Sequence, residues 1–308
     1  MGINVINPGL QTTIQDLGRQ LSGHLGVSSC GAADSYSFKI ANLTVGNTSN
    51  EAALEMTLVG GVYQFEENVD ICLSGSNFLA KINNKILPFN KKIHIEKRGI
   101  LEIAETKDGA RCYLAVRGGI DIKHFLDSAS THLTTKTGGL NGRSLKKGDV
   151  LKIGKSKINL NKISLDLKYS TKRSILRITE GLQKNWFNDL NWNTLLKNSF
   201  KVSKQYSRMG IKLEGPSIRP VNKKQMVTEG IVLGAIQIPG NGKPIISFVD
   251  HQTTGGYPVI ANVISADICK VGQLKEGDSF QFNLIDMKTA ETMRIKQASF
   301  FKQSNNYE

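Results

Sequence analysis

Nine consecutive residues, Asp250-His251-Gln252-Thr253-Thr254-Gly255-Gly256-Tyr257-Pro258, hold the densest set of side chains suited to chemistry in this chain. They follow the apolar run Ile245–Val249, so their polar groups emerge at a strand end, where sites commonly lie. An imidazole beside a carboxylate can exchange protons near neutral pH, which makes Asp250 and His251 the candidate catalytic pair. Gln252, Thr253 and Thr254 supply neutral donors and acceptors suited to an amide or a carboxylate, and Tyr257 adds a phenol. Gly255 and Gly256 let backbone amides approach a ligand closely or adopt positive φ. The same residues also describe a hydrogen-bonded turn around a satisfied Asp, and at this level both readings stand.

Three further clusters carry polar groups. Thr12–Arg19 (TTIQDLGR) holds Gln15, Asp16 and Arg19. Gly26–Asp34 (GVSSCGAAD) is a loop entering a helix, whose unpaired N–H groups and dipole favour an anion. Asp34 either belongs to such a site or serves the dipole itself. Cys30 could be activated as a thiolate there, although no His is evident as its base. Arg208 and Glu214 place a cation and a carboxylate in the second half, with an exposed pair as the default reading. Gly138-Gly139-Leu140-Asn141-Gly142-Arg143-Ser144 looks superficially like a phosphate loop. Its glycine spacing is one residue short, Arg143 stands where Lys belongs, and a strand follows, so a structural turn is expected.

The elements that must position these groups are mostly strands. Short apolar runs recur at Val69–Leu73, Ile100–Ile103, Cys112–Val116, Ile175–Ile178, Ile231–Leu233, Ile245–Val249, Val259–Val263 and Phe280–Leu284. Turn pairs such as Asn83-Asn84, Asp108-Gly109 and Asn241-Gly242 punctuate them, a pattern of barrels or sandwiches. Helical spacing is confined to Ala32–Val45, with Ser29 as N-cap and Gly46 as stop, and to Trp186–Leu196. A Gly-Gly turn followed by Leu-Lys-x-Gly-Asp and a strand occurs twice, ending at Asp149 and at Asp278, which points to two related β-rich units. Residues 1–160 and 170–286 are the expected domains, joined between about Lys155 and Ser174, with a loosely held polar tail over 287–308.

Composition narrows the function classes. With 308 residues, 39% hydrophobic and 21% charged, the chain reads as globular, and no apolar run approaches the ~20 residues that span a bilayer. The start lacks a basic and apolar leader, so a cytoplasmic location is expected. The net charge of +14 owes much to ten basic residues between Arg143 and Arg173. They alternate with Ile, Leu and Asn rather than with stacking aromatics, so nucleic acid is not an expected partner. Cys30, Cys72, Cys112 and Cys269 form no CxxC pair, and buried thiols are expected rather than a metal site.

Taken in order, TTIQDLGR (Thr12–Arg19), GAADSYSFKIANLTVGN (Gly31–Asn47), AALEMTLVGG (Ala52–Gly61), YLAVRGGID (Tyr113–Asp121), GGLNGRSLKKGD (Gly138–Asp149), RMGIKLEGP (Arg208–Pro216) and DHQTTGGYPVIANVISAD (Asp250–Asp267) resemble the allophanate-hydrolase-subunit-2, or biotin-dependent carboxyltransferase, family. The resemblance implies a mainly β fold of two cyclophilin-like β-barrel domains with a few short helices. It implies the role of the C-type component in an ATP-dependent 5-oxoprolinase, opening the lactam of 5-oxo-L-proline to L-glutamate. Its implied partners are a homologous B-type component (KipI-like) and an A-type component (LamB/YcsF-like), with ATP shared among the chains. A KipA-type regulator of a kinase inhibitor and a carboxyltransferase of the urea carboxylase type are the alternatives. The matching polar positions, assigned through the family to a substrate cleft for a lactam or amide, are Gln15, Asp16, Arg19, Asp34, Arg208, Glu214, Asp250, Gln252, Thr253, Thr254 and Tyr257. Backbone amides at Gly255 and Gly256 would face the developing oxyanion. Relatives carry GSRSTD where this chain has DSASTH (Asp127–His132), so Ala129 and His132 put anion binding by that loop in doubt. No biotin-carrier AMKM signature occurs, so carboxyl transfer would need another chain to deliver carboxybiotin.

Overall fold

The computed structural model describes residues 2–156, 173–222 and 225–303. Lys157, Lys162, Lys168 and Lys172, and most of the expected connection between the halves, lie outside the described residues. Two compact units result. One comprises Met1–Gln20, Cys30–Lys168 and Phe301–Glu308, the other Leu21–Ser29 and Tyr169–Phe300. The short segment Leu21–Ser29 thus belongs with the second half, which local sequence patterning does not reveal.

In the first unit a seven-stranded and a five-stranded sheet enclose one apolar core. The strand Arg111–Val116 shows how alternation builds it: Cys112, Leu114 and Val116 face that core, while Tyr113 and Ala115 face a second cluster with Phe38 and Ala41. All six residues are buried because helix α1 (Ser35–Thr44) covers the outer face, with Phe38 edge-on to Tyr113 at 5.8 Å. Asn83 and Asn84 both take positive φ in the tight hairpin between Phe78–Ile82 and Lys85–Ile86, as a two-residue turn requires.

In the second unit seven strands close into a barrel. Its pairings are antiparallel except one: Ile175–Glu180 runs parallel to Ser279–Leu284 and seals the ring. Leu176, Ile178, Phe200, Ile211, Leu213, Ile236, Ile246, Ile260, Phe280 and Phe282 are buried along these strands.

The repeated Leu-Lys-x-Gly-Asp segments form the same turn in each unit. The Asp carboxylate accepts the backbone N–H three residues earlier, at 2.7 Å for Lys146 to Asp149 and 3.1 Å for Lys275 to Asp278. Gly148 and Gly277 take φ of 89° and 86°. Each Gly N–H and Asp C=O then clips onto one residue of a neighbouring strand, Val5 in one case and Val202 in the other.

Several local expectations are corrected. Helix α1 begins later than Ala32, because Asp34 rather than Ser29 caps it, accepting from Ser37 N at 2.9 Å and Ser37 Oγ at 2.7 Å. Helix α2 (Asp189–Lys197) likewise starts after Trp186, where Asn188 accepts from Asn191 N. Pairing near Ile231 is displaced to Glu229–Gly230, opposite Thr254–Gly255. Helix α3 (Ile268–Val271) is a single turn. Beyond Asp286, where a loose tail was expected, stands helix α4 (Met287–Gln303). Its start is fixed by Asp286, whose carboxylate accepts from Thr289 N at 2.8 Å and Thr289 Oγ1 at 2.6 Å. Gln297 donates to the Ala266 carbonyl, and Arg177 Nη1 to Met293 Sδ, so the helix is anchored despite its polar composition. Among the described residues no helix is long and apolar enough to cross a membrane. All four cysteines are buried thiols outside any disulfide, and burial pushes the Cys72 thiol up to about 12.

Candidate functional site

The second unit brings Arg208 to Asp250 by running their segments side by side, with Asp250 N donating to the Arg208 carbonyl at 2.8 Å. The guanidinium then grips the carboxylate at both ends, Nε to Oδ2 at 2.8 Å and Nη2 to Oδ1 at 3.0 Å. Both side chains are buried, and a fork-to-fork pair in a poorly solvated setting is orientationally strict. Asp250 is therefore the anchor of its loop, and the Arg208–Glu214 pair anticipated as exposed is not formed in this way. Glu214 sits exposed at the far end of the strand Gly210–Glu214, opposite Lys201, about 13 Å of extended chain from the end nearest Arg208.

His251 is half-buried and follows the ion pair. Its Nδ1 lies 2.8 Å from the Gln252 carbonyl, which can only accept, so Nδ1 carries the proton and Nε2 is the acceptor of the neutral ring. Ser28 Oγ donates to the His251 carbonyl at 2.6 Å, which holds the backbone from the other side. Thr253 and Thr254 are drawn into pairing: Ile231 N donates to the Thr253 carbonyl at 2.9 Å, and Thr254–Gly255 pairs with Glu229–Gly230. Gln252 and Tyr257 are exposed. Neither Gly255 nor Gly256 has positive φ. Three side-chain ends crowd Gly255 instead: a Cβ there would lie 2.3 Å from Ile231 Cδ1, 3.0 Å from Gln237 Nε2 and 3.1 Å from Gln252 Nε2, so these tips would have to shift to admit one.

Gln237 was not among the expected residues. It ends the strand Ala235–Gln237 and is 5% exposed, with its Nε2 lacking a hydrogen-bond partner among the described residues. A polar residue between Ile236 and Ile238 in an otherwise apolar strand is the signal that marks it.

The first unit uses its candidates differently. Asp16 is buried, and its carboxylate accepts from Gly18 N at 2.8 Å, Ser128 Oγ at 2.7 Å, Ala129 N at 2.7 Å and Ser130 Oγ at 2.5 Å. Asp16 thus takes both serine hydroxyls and the Ala129 N–H of the Asp127–His132 loop, while the Ala129 methyl packs in the apolar core. His132 Nδ1 accepts from Thr135 N at 3.0 Å and so is unprotonated in the neutral ring. Arg19 donates from Nε to the Phe125 carbonyl at 3.1 Å and from Nη2 to the Ser130 carbonyl, with its cation 5.2 Å from the Phe125 ring centroid. Gln15 donates to Thr13 Oγ1 and to the Thr131 carbonyl. Arg19 Nη1 and Gln15 Oε1 are buried without a partner among the described residues.

The loop before α1 is likewise spoken for. Ala32 N donates to the Asp16 carbonyl, Ala33 N to Glu55 Oε2 and Asp34 N to the Tyr113 hydroxyl, so these amides do not form the anticipated anion site. Tyr113 in turn donates to Glu55 Oε2 at 2.8 Å. Burial, then the nearby Glu55 and Asp34 charges, hold its phenol well above the usual range, so it stays a neutral donor. Glu55 and Tyr113 were not anticipated as site residues; a Glu inside the apolar run AALEMTLV was the available clue.

Gly138–Ser144 is a structural turn. A Cβ at Gly138 would strike the Ser130 carbonyl and Arg19 Nη2, and one at Gly139 would strike Thr131 Oγ1. Arg143 is bound to Asp149 through both terminal nitrogens, at 2.7 and 2.8 Å, so it does not fit a phosphate-binding role. A cavity of about 390 Å³ in the first unit, lined by Ser76, Asn77, Phe78, Leu87, Phe89 and Lys107 among others, contains none of the expected residues.

The chain has relatives in both sequence and structure. The chain is 34% identical to the 5-oxoprolinase C component of Escherichia coli (strain K12), over 98% of this chain and 97% of that protein. It is 31% identical to the 5-oxoprolinase C component of Haemophilus influenzae, with the same coverage of each chain. The crystal structure of the K. lactis urea amidolyase superposes with a TM-score of 0.92 at 30% identity, covering 98% of this chain and 20% of that one. Residues 25–284 match the family model for the carboxyltransferase domain, subdomains A and B, and the chain belongs to that family.

Proposed function

We propose that this chain is the C-type component of an ATP-dependent 5-oxoprolinase, which opens the lactam of 5-oxo-L-proline to L-glutamate together with a B-type (KipI-like) and an A-type (LamB/YcsF-like) chain in the cytoplasm. The carrying observation is reciprocal coverage: the match to the Escherichia coli 5-oxoprolinase C component takes in 98% of this chain and 97% of that protein. The match to the urea amidolyase of Saccharomyces cerevisiae, by contrast, spans only 17% of that protein. A carboxyltransferase role would therefore need most of the machinery from other chains, including the biotin carrier.

Amide resonance makes a lactam carbonyl a weak electrophile, and ATP supplies the driving force to the assembly. Gly138–Ser144 does not fit a phosphate, so we assign nucleotide chemistry to the partner chains and derive no step through it here. The contribution of this chain is to bind and orient. The Arg208–Asp250 pair fixes the loop, His251 Nε2 is the candidate proton acceptor, and Gln252 is an exposed neutral group for the amide.

The test is glutamate release from 5-oxo-L-proline by the three chains expressed together, with and without this one. Loss of activity on omission, and a fall of about 100-fold in kcat for His251→Gln, is the expected result. Full activity in its absence would overturn the reading and favour a regulatory role.

A further inference from the structure

Gln237 carries a buried hydrogen-bond donor that has no partner among the described residues. The residue is 5% exposed, and its Oε1 faces Ser247 Oγ at 3.5 Å. That contact turns Nε2 the other way, toward the backbone of Gly255, where it meets no acceptor among the described residues. An unmade hydrogen bond from a buried carboxamide costs roughly 1–3 kcal/mol. Such an atom persists where a ligand completes it or where strain is tolerated for a purpose.

Gln252 Nε2 approaches the same point. A Cβ on Gly255 would lie 3.0 Å from the Gln237 nitrogen and 3.1 Å from the Gln252 nitrogen. Two carboxamide nitrogens therefore converge near Gly255, where the Ile231 Cδ1 methyl occupies the space a side chain would take. Gln237 is fixed in the barrel wall, whereas Gln252 is exposed on the loop, so a ligand would reach the inner donor by displacing Gln252 and the Ile231 methyl. The nearby cation, Arg208, is committed to Asp250 by two hydrogen bonds. Both donors are uncharged, so they suit a neutral carbonyl oxygen, whose hydrogen bonds need no counter-charge.

We infer that Gln237, with Gln252 as its movable companion, recognises the uncharged carbonyl oxygen of an amide or lactam substrate. This rests on the oxoprolinase reading and deepens it, naming the group that tells a lactam from a plain imino acid. Rejecting a ligand that lacks the carbonyl follows naturally, because the Gln237 N–H would stay buried and unmade.

The assembled three-chain complex carrying Gln237→Met or Gln237→Glu tests this. KM for 5-oxo-L-proline should rise about tenfold in the Met variant, the equivalent of one buried hydrogen bond, and further in the Glu variant, which presents an acceptor to an acceptor. KM for ATP should stay at its wild-type value in both variants, and the melting temperature should stay unchanged in the Met variant; the Glu variant buries an unpaired carboxylate and should melt lower. In calorimetric titrations the wild-type complex should bind 5-oxo-L-proline in preference to L-proline, which keeps ring and carboxylate but lacks the ring carbonyl. The Met variant should lose that preference. Wild-type KM and preference in both variants would overturn the inference while leaving the oxoprolinase reading intact. A parallel change in both KM values and in melting temperature of the Met variant would also overturn it, by showing a purely structural residue. A wild-type complex that neither binds nor opens 5-oxo-L-proline would overturn the oxoprolinase reading itself.

Discussion

The two units share a turn and diverge in what they do with polar side chains. Each closes a Leu-Lys-x-Gly-Asp turn with the same carboxylate-to-amide bond and the same left-handed glycine. Yet the first unit exhausts its carboxylates internally: Asp16 takes four donors, Asp34 caps α1, and Glu55 takes Ala33 N and the Tyr113 hydroxyl. The second commits Asp250 to Arg208 and Asp267 to Arg177, and leaves the loop after Asp250 with His251 and Gln252, close to the inward Gln237. Residue types that look equally catalytic in a sequence thus split into those whose polar groups are used within the fold and those with capacity left over, which in the first unit include Arg19 Nη1 and Gln15 Oε1. What separates them is whether their hydrogen-bonding capacity is already used, since a buried saturated carboxylate has little left to offer a substrate.

The sharpest way to break this contrast is Asp16→Ala. It strips the acceptor from two serine hydroxyls and two backbone amides at once, and should lower the unfolding free energy by about 4 kcal/mol or more in urea titrations. Near-native stability combined with lost activity would move Asp16 into the substrate-facing class. Asp250→Asn should cost about 3 kcal/mol, because it leaves the buried Arg208 guanidinium without its counter-charge. Activity should fall with it, and a thermal melt alongside the glutamate assay separates the two effects.

A smaller effect distinguishes the repeated turns. Arg143 beside Asp149 holds that carboxyl below its usual range through a two-pronged hydrogen bond. A depressed carboxyl pKa stabilises the fold above the unfolded value of about 3.9 and loses that contribution as pH falls through the folded value. Arg143→Ala should therefore cost about 0.2–1 kcal/mol at pH 7, limited by solvent screening, and nearly nothing at pH 2. A difference that grows toward low pH would contradict this sign. The smallest effect belongs to Glu214→Gln, exposed at the far strand end, which should change stability by less than about 0.5 kcal/mol and leave turnover within twofold. A large loss of turnover there would extend the site along the strand.

Much of the architecture was legible in the linear chain. Apolar runs with turn pairs between them located the strands Val69–Gly75, Arg111–Val116, Val259–Val263 and Ser279–Leu284, since burial of alternate or successive residues is written directly in residue type. The repeated turn was legible for the same reason: a glycine at positive φ and an Asp three residues beyond its amide are local requirements. Helix starts were read less well. Ser29 was read as the cap and Asp34 as a first-turn residue, and it is the commitment of the Ala32, Ala33 and Asp34 N–H groups to Asp16, Glu55 and Tyr113 that delays the helix. The polar helix α4 was missed because its anchors, Ala266 and Arg177, lie far away in sequence.

The sequence by itself determined the family, the β-rich character and the loop in which the candidate site lies, because motif spacing, apolar periodicity and turn chemistry are properties of neighbouring residues. Only the tertiary structure decided which polar groups remain available. It saturated Asp16 with residues more than a hundred positions away, paired Arg208 with Asp250, and turned Gln237 inward beneath Gly255. The physical reason is that hydrogen-bond satisfaction and burial are set by contacts across the fold, and these have no signature in local spacing.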